Sequence, residues 1–452
     1  MQIFLTILFA MLIVVGIGLF TYHITLIRRN INLGRDAYLK DNPGARWKQM
    51  AIVALGQSKM VKRRTLAGIL HIFVYVGFIM VNIEVIEIIV DGFSGRHRFF
   101  GDILPSSIYN FIIIMAELFL LLVLVGTVAF LFRRNVQKVE RFEHPELKGW
   151  PKLDANIILW TEIFLIVALL VMNSTDITLQ QRGAPHYIEA GYFPVSQFFA
   201  PLWDGISTNT LMVIERVAWW AHIIGILAFL NYIPFSKHLH IFLSFPNTYY
   251  TPLRPMANFE VNENVKKEVQ MMMDPNAAAA PPPEEEGDPP RFGAKDVQDL
   301  TWKNLLDAYT CTECGRCTAS CPANITGKKL SPRKIMMDTR DRLHEVGKNV
   351  RENKGEFKED GKDLHAYISQ EELWACTTCQ ACYDACPLNI NPMDIIVQMR
   401  QYLVMEQSQA PEALNAMFMN VENNQAPWAF PAADRANWMA GLEETNVDSE
   451  NS

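Results

Sequence analysis

Eight cysteines form two copies of one spacing in the C-terminal half of the chain. The first copy is Cys311, Cys314, Cys317 and Cys321 followed by Pro322, and the second is Cys376, Cys379, Cys382 and Cys386 followed by Pro387. Each copy reads C-x2-C-x2-C-x3-C-P, a run that supplies thiolates to [4Fe-4S] clusters. Because the two copies use every cysteine of the chain, no thiol is left for a nucleophile, a disulfide or a further cluster.

Two other uses of cysteine fit this pattern less well. Structural zinc sites use C-x2-C pairs rather than runs of four, and disulfides are disfavoured between cysteines so close in sequence. The run is similar to that of bacterial two-cluster ferredoxins, in which the fourth cysteine ligates the other cluster. This similarity implies that Cys311, Cys314, Cys317 and Cys386 hold one cluster and that Cys376, Cys379, Cys382 and Cys321 hold the other.

Long apolar stretches precede the cysteine half, and each is long enough to cross a bilayer, which takes ~20 residues. Five of them cover residues 3–26, 67–90, 107–132, 156–175 and 211–235. Arg and Lys are concentrated after the first and third stretches, and such cations gather on the cytoplasmic side. The first stretch lacks a basic start and a cleavage site, so we expect it to be retained. We predict a multi-pass protein of the inner (cytoplasmic) membrane with its N-terminus outside and its clusters in the cytoplasm.

Composition divides the chain into four parts. We predict a membrane domain over 1–250, a Pro/Ala/Glu-rich linker over 251–295, a two-cluster domain over 296–406 and a polar acidic tail over 407–452. Residues 274–290 cannot build a core and should be extended. Ser331-Pro332 and Asn391-Pro392 predict capped helices over 332–346 and 392–406. The fold class is therefore mainly α, with a five-span transmembrane helix bundle followed by a cytoplasmic helical ferredoxin-type domain.

Three histidines in or near the apolar stretches are candidate haem ligands. Two imidazoles that ligate one haem must lie at equal depth on facing helices. His71 lies ~10 Å inside the second stretch at 1.5 Å per residue, and His240 lies near the same end of the fifth, so we predict that they form a pair. His222 precedes His240 by five helical turns and would share its face if Pro234 bends the helix little. His238 should point away from His240. A membrane histidine is equally often a hydrogen-bonded structural residue.

Ionisable residues inside the apolar stretches include Glu84, Glu87, Glu117, Glu162 and Arg216. Charges are costly at this depth and therefore indicate function. We predict that Glu84 and Glu87, in the outer half near His222, help to relay protons for a quinone. A static ion pair inside the bundle is the alternative.

The cysteine half, with its Ser-Pro and Asn-Pro helix starts, resembles the C-subunit family of heterodisulfide reductases. The membrane half resembles the γ-subunit of respiratory nitrate reductase, a five-span cytochrome b, over residues 70–72, 222–225 and 233–241. The second resemblance implies haem b. In that family a second histidine stands at the position that is Val81 in this chain. A second haem bound by His222 therefore lacks its obvious second ligand. Met80 or a histidine of another span would have to take that place.

We interpret the chain as a membrane-bound oxidoreductase subunit that passes electrons between a membrane quinone and a cytoplasmic partner through haem b and two [4Fe-4S] clusters. The resemblance implies a partner with CCG motifs, and a flavoprotein is another. Two alternatives stay open: a membrane anchor and relay without its own quinone site, or a membrane-attached iron-sulfur redox sensor. The net charge of −7 accompanies no basic cluster interleaved with aromatic residues, so nothing indicates nucleic-acid binding.

Overall fold

The computed structural model describes residues 2–256, 258–259, 261–274 and 291–440, and within these ranges it is helical and contains no strand. The helices, numbered in chain order, are α1 (Gln2–Ile31), α2 (Pro43–Met50), α3 (Ser58–Val61), α4 (Thr65–Ser94), α5 (Phe99–Ile103), α6 (Ser106–Asn135), α7 (Trp150–Gln181), α8 (Thr208–Tyr232), α9 (His240–Tyr249), α10 (Glu263–Met273), α11 (Trp302–Thr310), α12 (Pro322–Ile325), α13 (Pro332–Glu352), α14 (Gln370–Ala375), α15 (Ala381–Ala385), α16 (Pro392–Gln401) and α17 (Glu412–Asn424). The predicted fold class, mainly α, is confirmed.

Helices α1, α4, α6, α7 and α8 are long and apolar enough to cross a membrane, and they are the five such helices in the described part of the chain. Each predicted stretch lies almost wholly within one of them. Large apolar side chains such as Phe111, Trp160 and Val213 point outwards and are more than 60% exposed. An apolar exterior of this kind suits hydrocarbon as the surrounding medium.

The bundle packs α4 on α6 and α7 on α8. Gly77 of α4 lies so close to Val123 of α6 that a Cβ atom at position 77 would overlap the valine side chain. Small residues allow membrane helices to approach closely where no hydrophobic force acts between them. Inside the bundle lies a shared apolar core that includes Phe9, Ile88, Leu120, Leu169 and Trp219.

The fifth membrane helix does not continue to His240, contrary to our expectation. Helix α8 ends at Tyr232, Pro234 lies in a 3-10 turn, and Ser236 is extended at φ −119° and ψ 161°. Proline lacks the N–H that an α-helix needs at this point. His240 therefore begins a separate helix, α9, and the predicted shared helical face of His222 and His240 is wrong.

Residues Met1–Glu260 and Asp296–Ile396 form one compact unit, and Val261–Lys295 with Val397–Ser452 form a second. The membrane and cysteine segments are thus joined in the first unit rather than separated. One link is a short parallel pairing, in which Arg35 N donates to Leu300 O and Trp302 N donates to Arg35 O, at 2.7 and 2.9 Å. We call the end of the bundle that meets the cysteine segment the cluster-side end, and the other the far end.

The predicted helix starts at Pro332 and Pro392 are confirmed. The Ser331 side chain caps α13 through Lys334 N, but the Asn391 side-chain oxygen is buried without a hydrogen-bond partner, so the second cap is not formed as predicted. Within the predicted linker, α10 is helical. Residues 275–290 of that linker and 441–452 of the predicted tail lie outside the described residues.

Candidate functional site

Four cysteines from both runs line one cavity of about 390 Å³, part of which is open to solvent. They are Cys311, Cys314 and Cys317 of the first run and Cys386 of the second. Gly315 lies in the loop at φ +70°, a backbone conformation that glycine adopts without strain. The cavity thus brings together the four residues that the similarity to ferredoxins assigned to one cluster.

The other four cysteines also come together across the two runs. The Cys382 thiol lies within electrostatic range of Cys376, Cys379 and Cys321. Cys317, of the first set, is in turn close enough to Cys382 to interact with it. The two sets are therefore neighbours. Cys379 is exposed, whereas Cys311 and Cys321 are buried.

Burial favours the protonated form of three of these thiols when no metal is bound. It raises the pKa of Cys311 and Cys382 to about 12 and that of Cys386 to about 11, and neighbouring thiols add to each shift. Metal coordination deprotonates a thiol outright. Backbone N–H groups point at two sulfurs, Thr378 N at Cys376 Sγ and Ile390 N at Cys386 Sγ, both at 3.4 Å. Such hydrogen bonds tune the potential of an iron-sulfur cluster.

The first cysteine cavity adjoins the cluster-side end of the bundle. Lys59 Nζ donates to Asn389 Oδ1 at 2.7 Å and to Tyr383 O at 3.2 Å. From the cavity wall, Arg316 reaches back to Lys59 O and Met60 Sδ. Lys237, just after α8, pairs with Glu313 of the first cysteine run. These contacts fix the cysteine loops against the membrane helices.

The His71 and His240 rings lie next to each other at the cluster-side end, close to these loops. Their ring centroids are 6.4 Å apart with the planes inclined at 45°. The His240 Nδ1 atom lies 3.0 Å from the Lys237 carbonyl oxygen, which suits a ring that donates through Nδ1 and leaves Nε2 free. Burial lowers the pKa of His240, so the ring is neutral near pH 7. The predicted proximity of His71 and His240 is therefore confirmed.

The other two histidines behave differently from our expectation. His238 does not point away from His240, since the two rings are 5.6 Å apart, and its Nε2 lies 3.7 Å from the Glu162 carboxylate. The continuous helix assumed in that expectation is broken at Ser236. His222 is 3% exposed and its Nδ1 has no hydrogen-bond partner in the described ranges. Val81 packs against the apolar core that contains Trp219 and Ile223.

Arg98 organises a network of buried charges at the far end. Its guanidinium donates to Asp176, Glu84 and Asn173 at 3.0, 3.0 and 2.7 Å. Glu87 lies 3.6 Å from the same group. The Tyr109 hydroxyl donates to the same Glu87 oxygen, Oε2, at 2.9 Å. The predicted cluster of Glu84 and Glu87 therefore exists, but a cation that the sequence analysis missed holds it together.

A cavity of about 340 Å³ opens beside this network. Its lining includes Glu87, Asp91, His97, Arg98, Asp176, Glu215, Arg216 and Trp219. His97 Nε2 lies 2.8 Å from Asp176 Oδ1, and Glu215 pairs with Arg216 at 2.9 Å. Part of this space is open to solvent, and its lining is more highly charged than that of a typical ligand pocket.

Glu117 and Glu162 lie apart from that cavity. Glu117 accepts hydrogen bonds from Ser196 N, Ser196 Oγ and Asn173 Nδ2, which is the arrangement of a structural carboxylate. Glu162 is at the cluster-side end beside His238. Of the residues missed, Glu215 lies in the fifth apolar stretch and Asp176 directly follows the fourth, so both were detectable from the sequence. Arg98 and His97 lie in a loop after α4, and no pattern in the sequence indicates that their side chains point into the bundle.

Two known proteins are similar in sequence to most of this chain. The chain is 27% identical over 461 residues to the probable iron-sulfur-binding oxidoreductase FadF of Bacillus subtilis strain 168, covering 95% of this chain and 60% of that protein. It is 28% identical over 413 residues to the EtfAB:quinone oxidoreductase of Syntrophomonas wolfei, covering 86% of this chain and 53% of that protein. The chain thus spans little more than half the length of these relatives. No solved structure matches it.

The cysteine segment has relatives of its own. Over 108 residues it is 34% identical to the C-subunit of the ferredoxin/F420H2-dependent CoB-CoM heterodisulfide reductase of Methanosarcina acetivorans, covering 24% of this chain and 53% of that protein. Residues 310–390 match the 4Fe-4S dicluster domain family. The chain therefore carries a dicluster domain for two [4Fe-4S] clusters next to five apolar helices.

Proposed function

We propose that this chain is the membrane subunit of an oxidoreductase and moves electrons between a membrane quinone and a cytoplasmic redox partner through a b haem and its two clusters. The observation that carries the proposal is the His71–His240 pair near the first cysteine run. His71 is within electrostatic range of Arg316, which lines the first cysteine cavity, and His240 faces the carbonyl of Lys237, which pairs with Glu313. A redox centre inside the membrane half gives the soluble clusters a connection to the bilayer. The similarity of the dicluster segment to a heterodisulfide reductase C-subunit supports the cytoplasmic half of this route.

The eight cysteines are assigned as cluster ligands in the crossed arrangement. Cys311, Cys314, Cys317 and Cys386 share a cavity, and Cys382 interacts with Cys376, Cys379 and Cys321. The clusters supply the one-electron chemistry, and the chain supplies spacing, hydrogen bonds to sulfur and nearby cations. The exposed Cys379 favours the second set as the exchange site for the cytoplasmic partner.

His71 and His240 are the residues that would hold haem b, which would supply one-electron chemistry inside the membrane half. Metal–imidazole bonds of about 2.0 Å place the ring centroids of two opposed ligands roughly 6.3 Å apart, and the observed separation is 6.4 Å. The buried Nδ1 atom of His71 has no hydrogen-bond partner within the described ranges, and Nδ1 of His240 faces the Lys237 carbonyl. A ligating histidine commonly fixes its second nitrogen in this way. His222 is a candidate ligand of a second haem, for which the sequence offers no obvious second histidine ligand at Val81.

The far-end cavity is assigned as the quinone site. Oxidation of a quinol releases two electrons and two protons, so the site needs proton acceptors beside a space for the ring. Glu87, Asp176 and His97 line that space. The similarity to a protein named EtfAB:quinone oxidoreductase supports quinone as the membrane substrate. We place this end outside the inner membrane and the clusters in the cytoplasm, in keeping with the Arg- and Lys-rich cluster-side loops.

The test is reduction of the clusters by a quinol analogue in the complete complex with its soluble partner. Glu87→Gln should slow quinol-driven reduction at least tenfold and leave reduction by dithionite unchanged. Glu117→Gln is the matched control, because it removes a buried carboxylate of the same bundle end that does not line the cavity. If quinol analogues never reduce the clusters of the wild-type complex, the proposal is wrong.

The second candidate is an anchor and relay without a quinone site. The paired state of Glu84, Glu87 and Asp176 around Arg98 favours it, since an ion network that is already satisfied can be purely structural. This candidate predicts that Glu87→Gln and Glu117→Gln affect only stability. The cytoplasmic partner is either a CCG-motif subunit or a flavoprotein, and the name of the EtfAB:quinone oxidoreductase relative points to EtfAB.

A further inference from the structure

Two arginines at the cluster-side end have no carboxylate partner in the described part of the chain: Arg316 is buried, and Arg141 is half-buried with two buried guanidinium nitrogens. The Nε and Nη1 atoms of Arg141 have no hydrogen-bond partner, and its guanidinium lies over the Phe142 ring, 4.7 Å from the centroid. Arg316 is 6% exposed and approaches only the Lys59 carbonyl, at 3.4 Å, and Met60 Sδ, at 3.1 Å. Neither contact neutralises a charge.

Other buried arginines of this protein are paired. Arg333, fully buried, lies 2.7 Å from Glu146, and Arg342 lies 2.6 Å from both Asp296 and Asp360. A buried charge is costly unless it is paired and hydrogen-bonded. Arg141 and Arg316 therefore differ from Arg333 and Arg342.

The two unpaired arginines also lie close to a third. Burial, followed by the charges of Arg64 and Arg316, lowers the pKa of Arg141 to about 10, whereas Cys314 opposes this shift. The chain thus gathers like charges at one place instead of separating them. An anion between these charges would offset their repulsion.

We propose that Arg64, Arg141 and Arg316 bind the two propionate carboxylates of the b haem held by His71 and His240. Arg316 is close enough to His71 to interact electrostatically with its ring. Arg64 immediately precedes the helix of His71 and lies about 10 Å from it at 1.5 Å per residue. Guanidinium groups match carboxylates in shape and form paired hydrogen bonds with them. The inference rests on the haem of the proposed function.

Two other anions compete for these arginines. The cluster held by the first cysteine set is anionic, and Cys314 acts on Arg141 and on Arg316. A phospholipid phosphate at the membrane surface would offer a similar charge. Arginines bound to a propionate change the midpoint potential of the haem directly, whereas arginines bound to the cluster or to a lipid do not. The experiment therefore measures the haem midpoint potential.

The experiment is a redox titration of the b-type absorption band in the purified full-length protein. Arg141→Gln and Arg64→Gln should each lower the haem midpoint potential, because loss of a cation disfavours the more negative reduced state. The expected change is at least tenfold in the reduction equilibrium, which is about 59 mV for one electron. The potential should also become pH-dependent between pH 6 and 8, since an unpaired propionate binds a proton. Arg141→Lys keeps the charge and should restore most of the potential.

Arg63→Gln is the matched control, because Arg63 is exposed, adjacent to Arg64 and paired with Asp384 at 2.7 Å. It should leave the haem potential unchanged. If wild type contains haem but the Arg64 and Arg141 variants change only the cluster potential or the content of bound phospholipid, the propionate assignment is wrong and the cluster or a lipid is the partner. Absence of haem from haem-replete wild type would overturn the haem itself, which is a failure of the proposed function.

Discussion

Arg98 should be the most costly single residue to remove from the far end of the bundle. Its side chain is 5% exposed and lies 3.0 Å from Glu84, 3.0 Å from Asp176 and 3.6 Å from Glu87. The change Arg98→Gln keeps a polar side chain of similar length but removes the charge. Three carboxylates then lose their shared cation.

The expected cost follows from burial. Removing one partner of a buried ion pair typically costs about 3–5 kcal/mol, because an uncompensated charge stays behind. Three stranded carboxylates place Arg98→Gln at the upper end of that range. Arg96 is two residues away and pairs with Asp102 at 3.0 Å, but both side chains are more than half exposed. An exposed pair is worth roughly 0–1 kcal/mol, so Arg96→Gln is the matched control.

The assay is unfolding of the purified protein by SDS in mixed micelles, followed by helical circular dichroism. Arg98→Gln should unfold at much lower SDS than Arg96→Gln. The difference should shrink as pH falls, because protonation neutralises the stranded carboxylates. Adding Asp176→Asn to Arg98→Gln should recover part of the loss. Equal unfolding curves for the two arginine variants would refute the role of Arg98 as the organising cation.

Three further outcomes test the site and the fold. Cys386→Ser should disturb the cluster of Cys311, Cys314 and Cys317, whereas Cys321→Ser should disturb the cluster of Cys376, Cys379 and Cys382. Each variant should contain less iron than the roughly eight atoms per chain of two intact clusters. If each variant instead loses the electron paramagnetic resonance signal of the cluster held by its own cysteine run, the ligation is not crossed. His71→Ala and His240→Ala should each abolish the reduced b-type absorption band of the cluster-side haem, and persistence of that band in either variant would exclude the residue as its ligand. Burial raises the pKa of Asp338 to about 6, so its contribution to stability is present below pH 4 and lost as pH rises through 6. Asp338→Asn should therefore flatten the plot of melting temperature against pH between pH 4 and 6. An unchanged slope of that plot would contradict this prediction.

The sequence predicted the helices well because their determinants are local. Five apolar stretches of membrane length define five helices, and Ser331-Pro332 marks the first residue of α13 as a proline after a capping serine. The sequence also paired His71 with His240, but for a reason that was partly wrong. Depth along two helices was enough to bring the rings together, although Pro234 and Ser236 break the fifth helix before His240.

Side-chain direction was the part that the sequence could not supply. Arg98 is one of several charges in a polar loop, and only its φ of +53° and the fold of α5 direct it into the bundle. The same holds for Lys59 and Arg316, whose contacts join segments more than 250 residues apart. Long-range pairing of this kind depends on tertiary packing rather than on local propensity or periodicity.

In the proposed function, the number of haems decides where the quinone binds. Glu87 and His71 lie on one helix, 16 residues apart, which is about 24 Å at 1.5 Å per residue. Electron transfer over such a gap is slow without an intermediate centre, because its rate falls exponentially with distance. His222 lies between the two levels, about 10 Å along α8 from Glu215 of the far-end cavity. A quinone site at the far end therefore requires a second redox centre near His222, with a ligand other than the absent histidine at Val81. A chain that holds a single haem, lost on His71→Ala and kept on His222→Ala, would instead bind its quinone close to the cluster-side end.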